Sequence, residues 1–525
     1  GDLTNSGTIK GGVAGRNALK VSADNIRNLG GQMSADTLAL QATQDIDNVG
    51  GTLQAQSAAV LLAGRDINLS TTTSSSSVIA SEARQSSNNF AQTGIDRVAG
   101  LYVKGSAGTL VASAGRDLNL TAAAVGNAGT GPTVLAAGNN LNLNTVTTSN
   151  SQDINWSGVN YLRQSQSQDV GSQINAAGNL TLSAGNDLNA KAAAVNAGQA
   201  LNVSAGNNVN ITAGQASQSL DTANTVTSNS TLSSRTLSTR ETSQSTTAVA
   251  STFEGNSVNV NAGQDLNVKG SNVLADQNVN LAAGGNVNIT AAQNTESQSS
   301  FRQETKSGLM SSGGIGFTVG SRMQSVDGQD TSTTAAGSTV GSTGGNVTIN
   351  AGKTYTQTGS DVLTPAGDIA ITAKAVEINE ARETGSQSTE QKFKQSGVTV
   401  AVTSGLVSNL QMADKQLQAA NNTSSDRMKV LATVNAAAGV VQAAQNATQL
   451  NVSITAGSSS SQSQQQSSAD TAKGSNLNAG GNVTITATGA GKDSDITVRG
   501  SNIEAGKATS LKADDQVSLL AAANT

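Results

Sequence analysis

The apolar residues of this chain recur in a short phrase that joins a glycine to alternating apolar and polar positions. The phrase is clearest in residues 178–214, where Gly185 precedes Leu188 and Gly206 precedes Val209. Strict alternation predicts a β-strand with one buried face, and the glycine beside it predicts a turn. The phrase therefore predicts strand–turn units that repeat about every 20 residues.

Units of this size cannot bury an apolar face alone, so copies must stack on one another. A related phrase fills residues 1–70, where residues 28–33 match residues 48–53. Connections between parallel strands of one sheet are right-handed. The repeats therefore predict an all-β fold, a right-handed parallel β-helix of about 13 coils.

Five stretches rich in Ser, Thr, Gln and Asn interrupt the repeat. Each begins just after a repeat strand, and about two coils separate one stretch from the next. A hairpin is two strands wide, which is the same advance of about 9.6 Å as two stacked coils. We therefore expect the stretches to leave at one corner as extra-helical β-hairpins and to pair into an antiparallel sheet along one flank. They occupy residues 71–104, 145–173, 215–256, 293–342 and 381–475.

The aromatic residues support ordered hairpins, because nearly all of them fall inside these stretches. Tyr355 is the one aromatic residue assigned to a coil. The others are Phe90, Tyr102, Trp156, Tyr161, Phe253, Phe301, Phe317 and Phe393. From this set, Trp156, Tyr161, Phe301, Phe317 and Phe393 are the candidate contacts with a membrane, a glycan or a partner. The alternative is that they form the core of the flanking sheet.

The fifth stretch has a different character near residues 405–448. Leu406 and Leu410 are spaced as on a helix, and Ser425 can begin a second helix. This pattern predicts a small helical hairpin that packs on the flank or binds a partner. The predicted division of the chain is first-type coils at 1–70, coils with four insertions at 71–380, the long insertion at 381–475 and terminal coils at 476–525.

Composition narrows the possible chemistry. The chain has no His and no Cys, so the commonest catalytic base and thiolate chemistry are excluded. A net charge of -5 without a basic run gives no support for nucleic-acid binding, and no motif points to a cofactor or a small-molecule substrate. Carboxylates at one repeat position could form the groove of a polysaccharide-degrading β-helix, but we interpret them as solvated turn residues. They are Asp66, Asp117, Asp187 and Asp265. Residues 489–495 resemble half of a calcium-binding nonapeptide, which needs consecutive copies.

Several phrases resemble a known family. Residues 114–122 (AGRDLNLTA), 137–145 (AGNNLNLNT) and 284–292 (GGNVNITAA) resemble repeats of filamentous-haemagglutinin-type exoproteins of Gram-negative bacteria. Residues 306–322 (KSGLMSSGGIGFTVGSR) and 393–405 (FKQSGVTVAVTSG) resemble the second haemagglutinin-repeat region of contact-dependent growth inhibition exoproteins.

The resemblance implies a non-enzymatic segment of a secreted filament at the bacterial cell surface. Such proteins leave through a dedicated outer-membrane two-partner transporter, and this region is expected to engage the outer membrane or a surface receptor of a target cell while a C-terminal toxin is delivered. Target-cell outer membrane and periplasm are the further locations it implies. The alternatives are a plain adhesin shaft without a delivery role and, more remotely, the polysaccharide-degrading enzyme. The chain opens at Gly1 without a signal peptide, which indicates an internal fragment.

Overall fold

A computed structural model of the chain describes residues 1–11, 17–82, 86–231, 233–311, 317–403 and 451–525. Within these ranges the chain forms 48 β-strands, a short 3₁₀ turn at Gly491–Asp493 and no α-helix. The parallel β-helix with an antiparallel flanking sheet is confirmed. The predicted helical hairpin near 405–448 lies outside the described residues.

Each complete coil contributes strands to three parallel stacks that enclose the core. The first stack is a 14-stranded sheet: thirteen of its strands belong to complete coils, as many as expected, and the last, Val517–Leu520, begins a further turn. Its strands are β1 (Leu3–Asn5), β4 (Ile26–Leu29), β6 (Ile46–Val49), β8 (Ile67–Ser70), β13 (Leu118–Thr121), β16 (Leu141–Asn144), β21 (Leu188–Lys191), β24 (Val209–Thr212), β29 (Leu266–Lys269), β32 (Val287–Thr290), β37 (Thr354–Thr358), β40 (Ala375–Asn379), β45 (Ile496–Arg499) and β48 (Val517–Leu520).

The second and third stacks are joined by β5 (Gln32–Ala42) and β7 (Thr52–Ala63), which run through the corner into both. The second stack also contains β2 (Thr8–Lys10), β11 (Gly100–Val103), β14 (Ala124–Asn127), β19 (Gln173–Ala176), β22 (Ala194–Ala197), β27 (Thr252–Gly255), β30 (Asn272–Ala275), β35 (Thr339–Ser342), β38 (Asp361–Thr364), β43 (Asn476–Ala479) and β46 (Asn502–Ala505). The third also contains β3 (Ala18–Ala23), β12 (Thr109–Ala114), β15 (Thr133–Ala137), β20 (Leu180–Ala184), β23 (Ala200–Ala205), β28 (Ser257–Ala262), β31 (Val279–Ala283), β36 (Val347–Ala351), β39 (Ile369–Ala373), β44 (Val483–Ala487) and β47 (Thr509–Ala513).

The remaining ten strands form five hairpins that pair with one another into one antiparallel sheet, here called the hairpin sheet. This outcome confirms the flanking sheet predicted from the spacing of the insertions. The hairpins are β9 (Thr72–Glu82) with β10 (Ser86–Arg97), β17 (Val146–Ser157) with β18 (Asn160–Val170), β25 (Gly214–Asn229) with β26 (Ser233–Val249), β33 (Ala292–Ser311) with β34 (Phe317–Ala336), and β41 (Ala381–Thr403) with β42 (Asn451–Lys473).

The core follows directly from the alternating pattern. Leu188 pairs in register with Val209 of the next coil, and Leu182 pairs with Val203, so each inward position repeats 21 residues later. These side chains are buried, and their polar neighbours face outward. Since every coil buries its apolar residues against the coils above and below, the core is continuous along the whole shaft.

Glycine stacks on glycine at the corners before the first-stack strands from β13 to β37. A Cβ at Gly206 would collide with the carbonyl oxygen of Gly185, and a Cβ at Gly185 would collide with that of Gly138. Coil-on-coil packing therefore excludes side chains at this position, which is why the phrase needs glycine there.

From β8 onward, the next corner, after each first-stack strand, alternates between two forms, whereas β4 and β6 are both followed by a positive-φ glycine. In one form a single residue with positive φ turns the chain, as at Ala192 (47°), Gly270 (58°) and Gly359 (54°). In the other form the chain leaves as a hairpin, after β8, β16, β24, β32 and β40. Hairpins therefore leave on every second coil.

Buried serines complete this corner in both forms. Ser251 and Ser338 follow hairpins, whereas Ser271 and Ser360 follow positive-φ turns, and all four are fully buried. The Oγ of Ser360 accepts the backbone N–H of Ser338 (3.1 Å), and its hydroxyl donates to the carbonyl oxygen of Thr358 (2.9 Å). The serines supply partners for backbone groups that would otherwise be buried without one.

Asparagine side chains form hydrogen-bonded ladders between coils. On the outer side of the first stack, Asn210 donates to Asn189 (2.8 Å) and Asn189 donates to Asn142 (3.0 Å). Near the N-terminus a buried ladder uses the same chemistry, because Asn28 donates to Asn48 at 2.7 Å. These bonds connect coils through side chains in addition to the backbone.

A second ladder of side-chain oxygens runs along the glycine corner. Each oxygen accepts the backbone N–H of the equivalent residue in the next coil; Asp187, for example, accepts from Asn208 at 2.9 Å. Asp and Asn both supply the required oxygen. The ladder contains Asn25, Asp45, Asp66, Asp117, Asn140, Asp187, Asn208, Asp265 and Asn286.

The carboxylates of this ladder are either separated by amides or paired with arginines. From Asp117 onward the carboxylates alternate with amides, but Asp45, Asp66 and Asp117 occupy successive coils. There Arg65 Nε donates to Asp45 Oδ1 and Arg116 Nε donates to Asp66 Oδ1, both at 2.8 Å. The hydrogen bond from Arg65 holds the pKa of Asp45 below its usual value.

The predicted insertions extended too far at their C-terminal ends. Residues 98–104, 250–256 and 337–342 are not in the hairpin sheet, because β11, β27 and β35 lie within them and belong to the second stack. The assignment of Tyr102 and Phe253 to the insertions was therefore wrong. Phe253 is fully buried in the coil. The polar composition of residues 250–256 and 337–342 misled the prediction, since the returning chain there passes through the buried Ser251 and Ser338.

Alanine at a positive-φ corner glycine should weaken the coil. At Gly270 a methyl group would lie 2.5 Å from the Cβ of Ala292 and would force a side chain into the left-handed region. We expect Gly270→Ala to lower the free energy of unfolding by about 2 kcal/mol, measured by chemical denaturation. Ala192→Gly at the equivalent corner is the control and should change stability by less than about 1 kcal/mol. Equal stability of Gly270→Ala and the native chain would contradict this account.

Loss of Arg65 should produce a pH-dependent defect. The folded pKa of Asp45 is lowered, so its contribution to stability is present above the unfolded value of about 3.9 and disappears as pH falls through the folded value. We expect Arg65→Gln to lower the free energy of unfolding at pH 7, and the loss should be small because Arg65 is half exposed and solvent screens the pair. The difference from the native chain should shrink below about pH 4. A defect that is constant from pH 7 to pH 3 would argue against the ion pair, and Arg27→Gln, at a looser 3.6 Å pair with Asp47, serves for comparison.

Candidate interaction surface on the hairpin sheet

The hairpin sheet becomes taller along the shaft. Its strands lengthen from 11 residues in β9 to 16 in β25, 20 in β33 and 23 in β41. At about 3.3 Å per residue this is an increase from roughly 36 to 76 Å. The tallest part of the sheet therefore extends far beyond the coil surface that carries it.

Register assigns side chains to two faces, because directly opposed residues share a face and alternate residues of one strand share a face. Arg240 opposes Phe301, and Arg163 opposes both Asp153 and Asp221. These residues define what we call the ion-pair face.

The ion-pair face carries a balanced network of charges. Arg240 Nε lies 3.3 Å from Asp221 Oδ1, and Arg163 Nε lies 3.4 Å from Asp153 Oδ1. The Tyr161 hydroxyl donates to Asp221 at 3.2 Å, and the Arg163 guanidinium lies 4.4 Å from the centre of the Tyr161 ring. Exposed pairs of this kind add little stability each, but they leave this face without excess charge.

The opposite face combines apolar and basic side chains, and we call it the apolar–basic face. Val226 opposes Leu237, Arg302 opposes Val326, and Phe393 opposes Gln324. Val226 is 55% exposed, whereas Leu237, Val326 and Phe393 are half-buried. The guanidinium of Arg322 lies 5.7 Å from the centre of the Phe393 ring.

Three basic residues form a row across this face. Arg235 opposes Lys306, and Lys306 opposes Arg322, so three like charges occupy successive strands. Glu304 accompanies the row and forms ion pairs with Arg235 and with Lys306 (3.0 Å). Partial burial acts to raise the pKa of Glu304, but hydrogen bonds from Lys306 and Arg235 outweigh it and leave that pKa below its usual value.

The five predicted contact residues do not form one patch. Trp156 is 60% exposed at a β-bulge near the end of its hairpin, and Tyr161 on the next strand lies close to it in register. Phe301 is half-buried on the ion-pair face, and Phe393 lies on the apolar–basic face. Phe317 opens β34 opposite Ser311, ten residues along the strand from Phe301, so these two are not neighbours.

The basic row was missed from the sequence. Its three members lie in β26, β33 and β34, and nothing in the local sequence of any one strand marks them as neighbours. Strand register could have revealed them. If the strands of neighbouring hairpins are paired residue by residue, starting where the hairpins leave the shaft, the three charges fall opposite one another.

The residues considered for catalysis have structural roles. Asp66, Asp117, Asp187 and Asp265 belong to the corner ladder, where they accept backbone N–H groups. Across the described ranges, no group of three or more Asp or Glu side chains could hold a metal ion.

In the part of the chain that the structure describes, no helix has the length and apolarity needed to cross a membrane.

Sequence relatives share the repeat. The chain is 34% identical to "tRNA nuclease CdiA" of Escherichia coli (strain NC101) over 291 residues, which are 52% of this chain and 9% of that protein. It is 39% identical to "Deoxyribonuclease CdiA" of Yersinia pseudotuberculosis serotype O:3 (strain YPIII) over 238 residues, which are 42% of this chain and 22% of the relative. It is 35% identical to "16S rRNA endonuclease CdiA" of Enterobacter cloacae over 241 residues, 43% of this chain and 7% of the relative. The matched region is thus a small part of each of these longer proteins. No solved structure matches the chain.

A family model described as "Hemagglutinin repeat" matches residues 157–303, 232–362, 319–455 and 454–525. Together these matches cover well over half of the chain and include the whole of the last three hairpins. The chain therefore belongs to the hemagglutinin-repeat family, which confirms the resemblance to the haemagglutinin-repeat region of contact-dependent growth inhibition exoproteins.

Proposed function

We propose that this chain is a structural and interaction segment of a secreted bacterial surface filament that delivers a C-terminal toxin to a neighbouring cell. In this proposal the shaft supplies length and stiffness, and the hairpin sheet contacts the outer membrane of the target cell. The observation that carries the proposal is the union of five hairpins into one sheet on one flank. A shaft alone would not require this large projecting surface.

The names of the relatives support a role other than catalysis. The three relatives are named for action on tRNA, 16S rRNA and DNA, yet they share similarity with the same kind of repeat segment. A segment common to proteins with different named activities is a poor candidate for the source of those activities. The ladder roles of the repeated aspartates agree with a non-enzymatic segment.

The composition and the coil architecture of the chain also suit export across the outer membrane. A chain without cysteine forms no disulfides that would hinder passage through an outer-membrane transporter, the partner we propose for secretion. Each coil contacts only its neighbours, so coils can form one after another as the chain emerges. The location that follows is the surface of a Gram-negative cell, with the hairpin sheet reaching the target cell.

Binding to outer-membrane vesicles tests the delivery role. The native chain should co-sediment with vesicles from Gram-negative bacteria. Deletion of residues 292–337 with Ala291→Gly removes the fourth hairpin and leaves a glycine before Ser338, the same corner as Gly270-Ser271. Binding should fall to background because the apolar–basic face is interrupted.

Removal of the first hairpin provides the matched control. Deletion of residues 72–98 with Thr71→Gly takes away the short edge of the sheet and should leave most of the binding intact. If the native chain does not bind outer-membrane vesicles, or if neither deletion changes binding, the plain adhesin shaft becomes the better account.

A further inference from the structure

The basic row on the apolar–basic face places like charges opposite one another, and Glu304 pairs with two of its three members. Arg235, Lys306 and Arg322 oppose one another on neighbouring strands about 5 Å apart, and like charges placed directly opposite are destabilising. The ion-pair face of the same sheet pairs its charges instead. Three positive charges on neighbouring strands, with one carboxylate paired to two of them, give this part of the face an excess of positive charge.

The charge of the face identifies the kind of partner. Arg302 joins the row, so four basic side chains share the outer part of this face with two carboxylates, those of Glu304 and Glu241. The whole chain carries a net charge of -5. The net negative charge of the chain would therefore repel an anionic partner. Any electrostatic attraction must come from the basic side chains of this face.

The apolar residues decide between a free anion and a lipid surface. Val226, Leu237, Val326 and Phe393 lie among the basic side chains, and Val226 is 55% exposed. Binding of inorganic phosphate would not be strengthened by these apolar side chains. A surface that offers phosphate groups beside hydrocarbon uses both, as basic and apolar side chains do at membrane interfaces.

The position of the face permits such contact. Lys306 lies 14 residues along β33 from Ala292 at the shaft, which is roughly 46 Å of extended strand. The basic row is thus presented well away from the coils.

We propose that the apolar–basic face binds the phosphate groups of an anionic lipid surface through Arg235, Lys306 and Arg322. Val226, Leu237, Val326 and Phe393 enter the boundary between headgroups and acyl chains. This inference rests on the proposed function, because it names the component of the target membrane that the hairpin sheet contacts.

Vesicle binding by the full chain tests the inference. The probes are vesicles of phosphatidylcholine alone and of phosphatidylcholine mixed with phosphatidylglycerol. The native chain should bind only the mixed vesicles, and excess inorganic phosphate should not displace it. Arg235→Gln/Lys306→Gln/Arg322→Gln should weaken binding on the order of 100-fold, because each basic residue near an anionic leaflet contributes several-fold.

A control variant removes the same charge elsewhere. Lys374→Gln/Lys392→Gln/Lys394→Gln changes exposed lysines on the shaft and the ion-pair face and should weaken binding less than about threefold. Unchanged circular dichroism would show that both variants fold. Equal losses in the two variants, or no loss in the first, would overturn the inference.

Further outcomes separate this inference from the proposed function. If the first variant still binds outer-membrane vesicles as the native chain does, the inference fails and the proposed function stands. If the native chain binds mixed lipid vesicles but not outer-membrane vesicles, the inference stands and the delivery role fails. The assignment to lipid would be overturned if inorganic phosphate abolished vesicle binding by the native chain. It would also be overturned if the chain bound a DNA duplex and not the vesicles.

Discussion

The parallel backbone hydrogen-bond ladder between successive coils is the interaction on which the whole structure depends. Opposed residues such as Leu188 and Val209 stay in register because every coil advances by one strand spacing. The glycine corner, the buried serines and the Asp and Asn ladders all preserve that spacing where the chain turns. Their side chains bond to the next coil, so each corner repeats the geometry of the strands. A change at one corner therefore acts on the coils on both sides of it.

Much of this architecture could be predicted from the sequence, because its periodicity is strict. The glycine phrase at Gly185 and Gly206 predicted the coils, and the two-coil interval between polar stretches predicted the flanking sheet. The C-terminal limits of those stretches could not be predicted, since composition does not distinguish a returning hairpin strand from a serine corner. Phe253 shows this: its polar neighbours indicated a hairpin, but the residue is fully buried in a coil.

The candidate surface was less predictable than the fold. Aromatic residues such as Trp156 and Phe301 stand out in a sequence with few of them, yet register places them apart. Arg235, Lys306 and Arg322 are unremarkable in the sequence and meet only through the pairing of three strands. Local pattern determines how each strand forms, whereas the function of a sheet face depends on which strands become neighbours.

The departure of a hairpin on every second coil makes the shaft and the hairpin sheet commensurate. Two coils and one hairpin have the same thickness, so from the first hairpin onward either can grow only if the other grows equally. Gain of a single coil between two hairpins would leave a gap one strand wide in the sheet, and loss of a coil would make two hairpins overlap by one strand. We therefore expect proteins built on this plan to change length during evolution in blocks of two coils, each block being as thick as one hairpin.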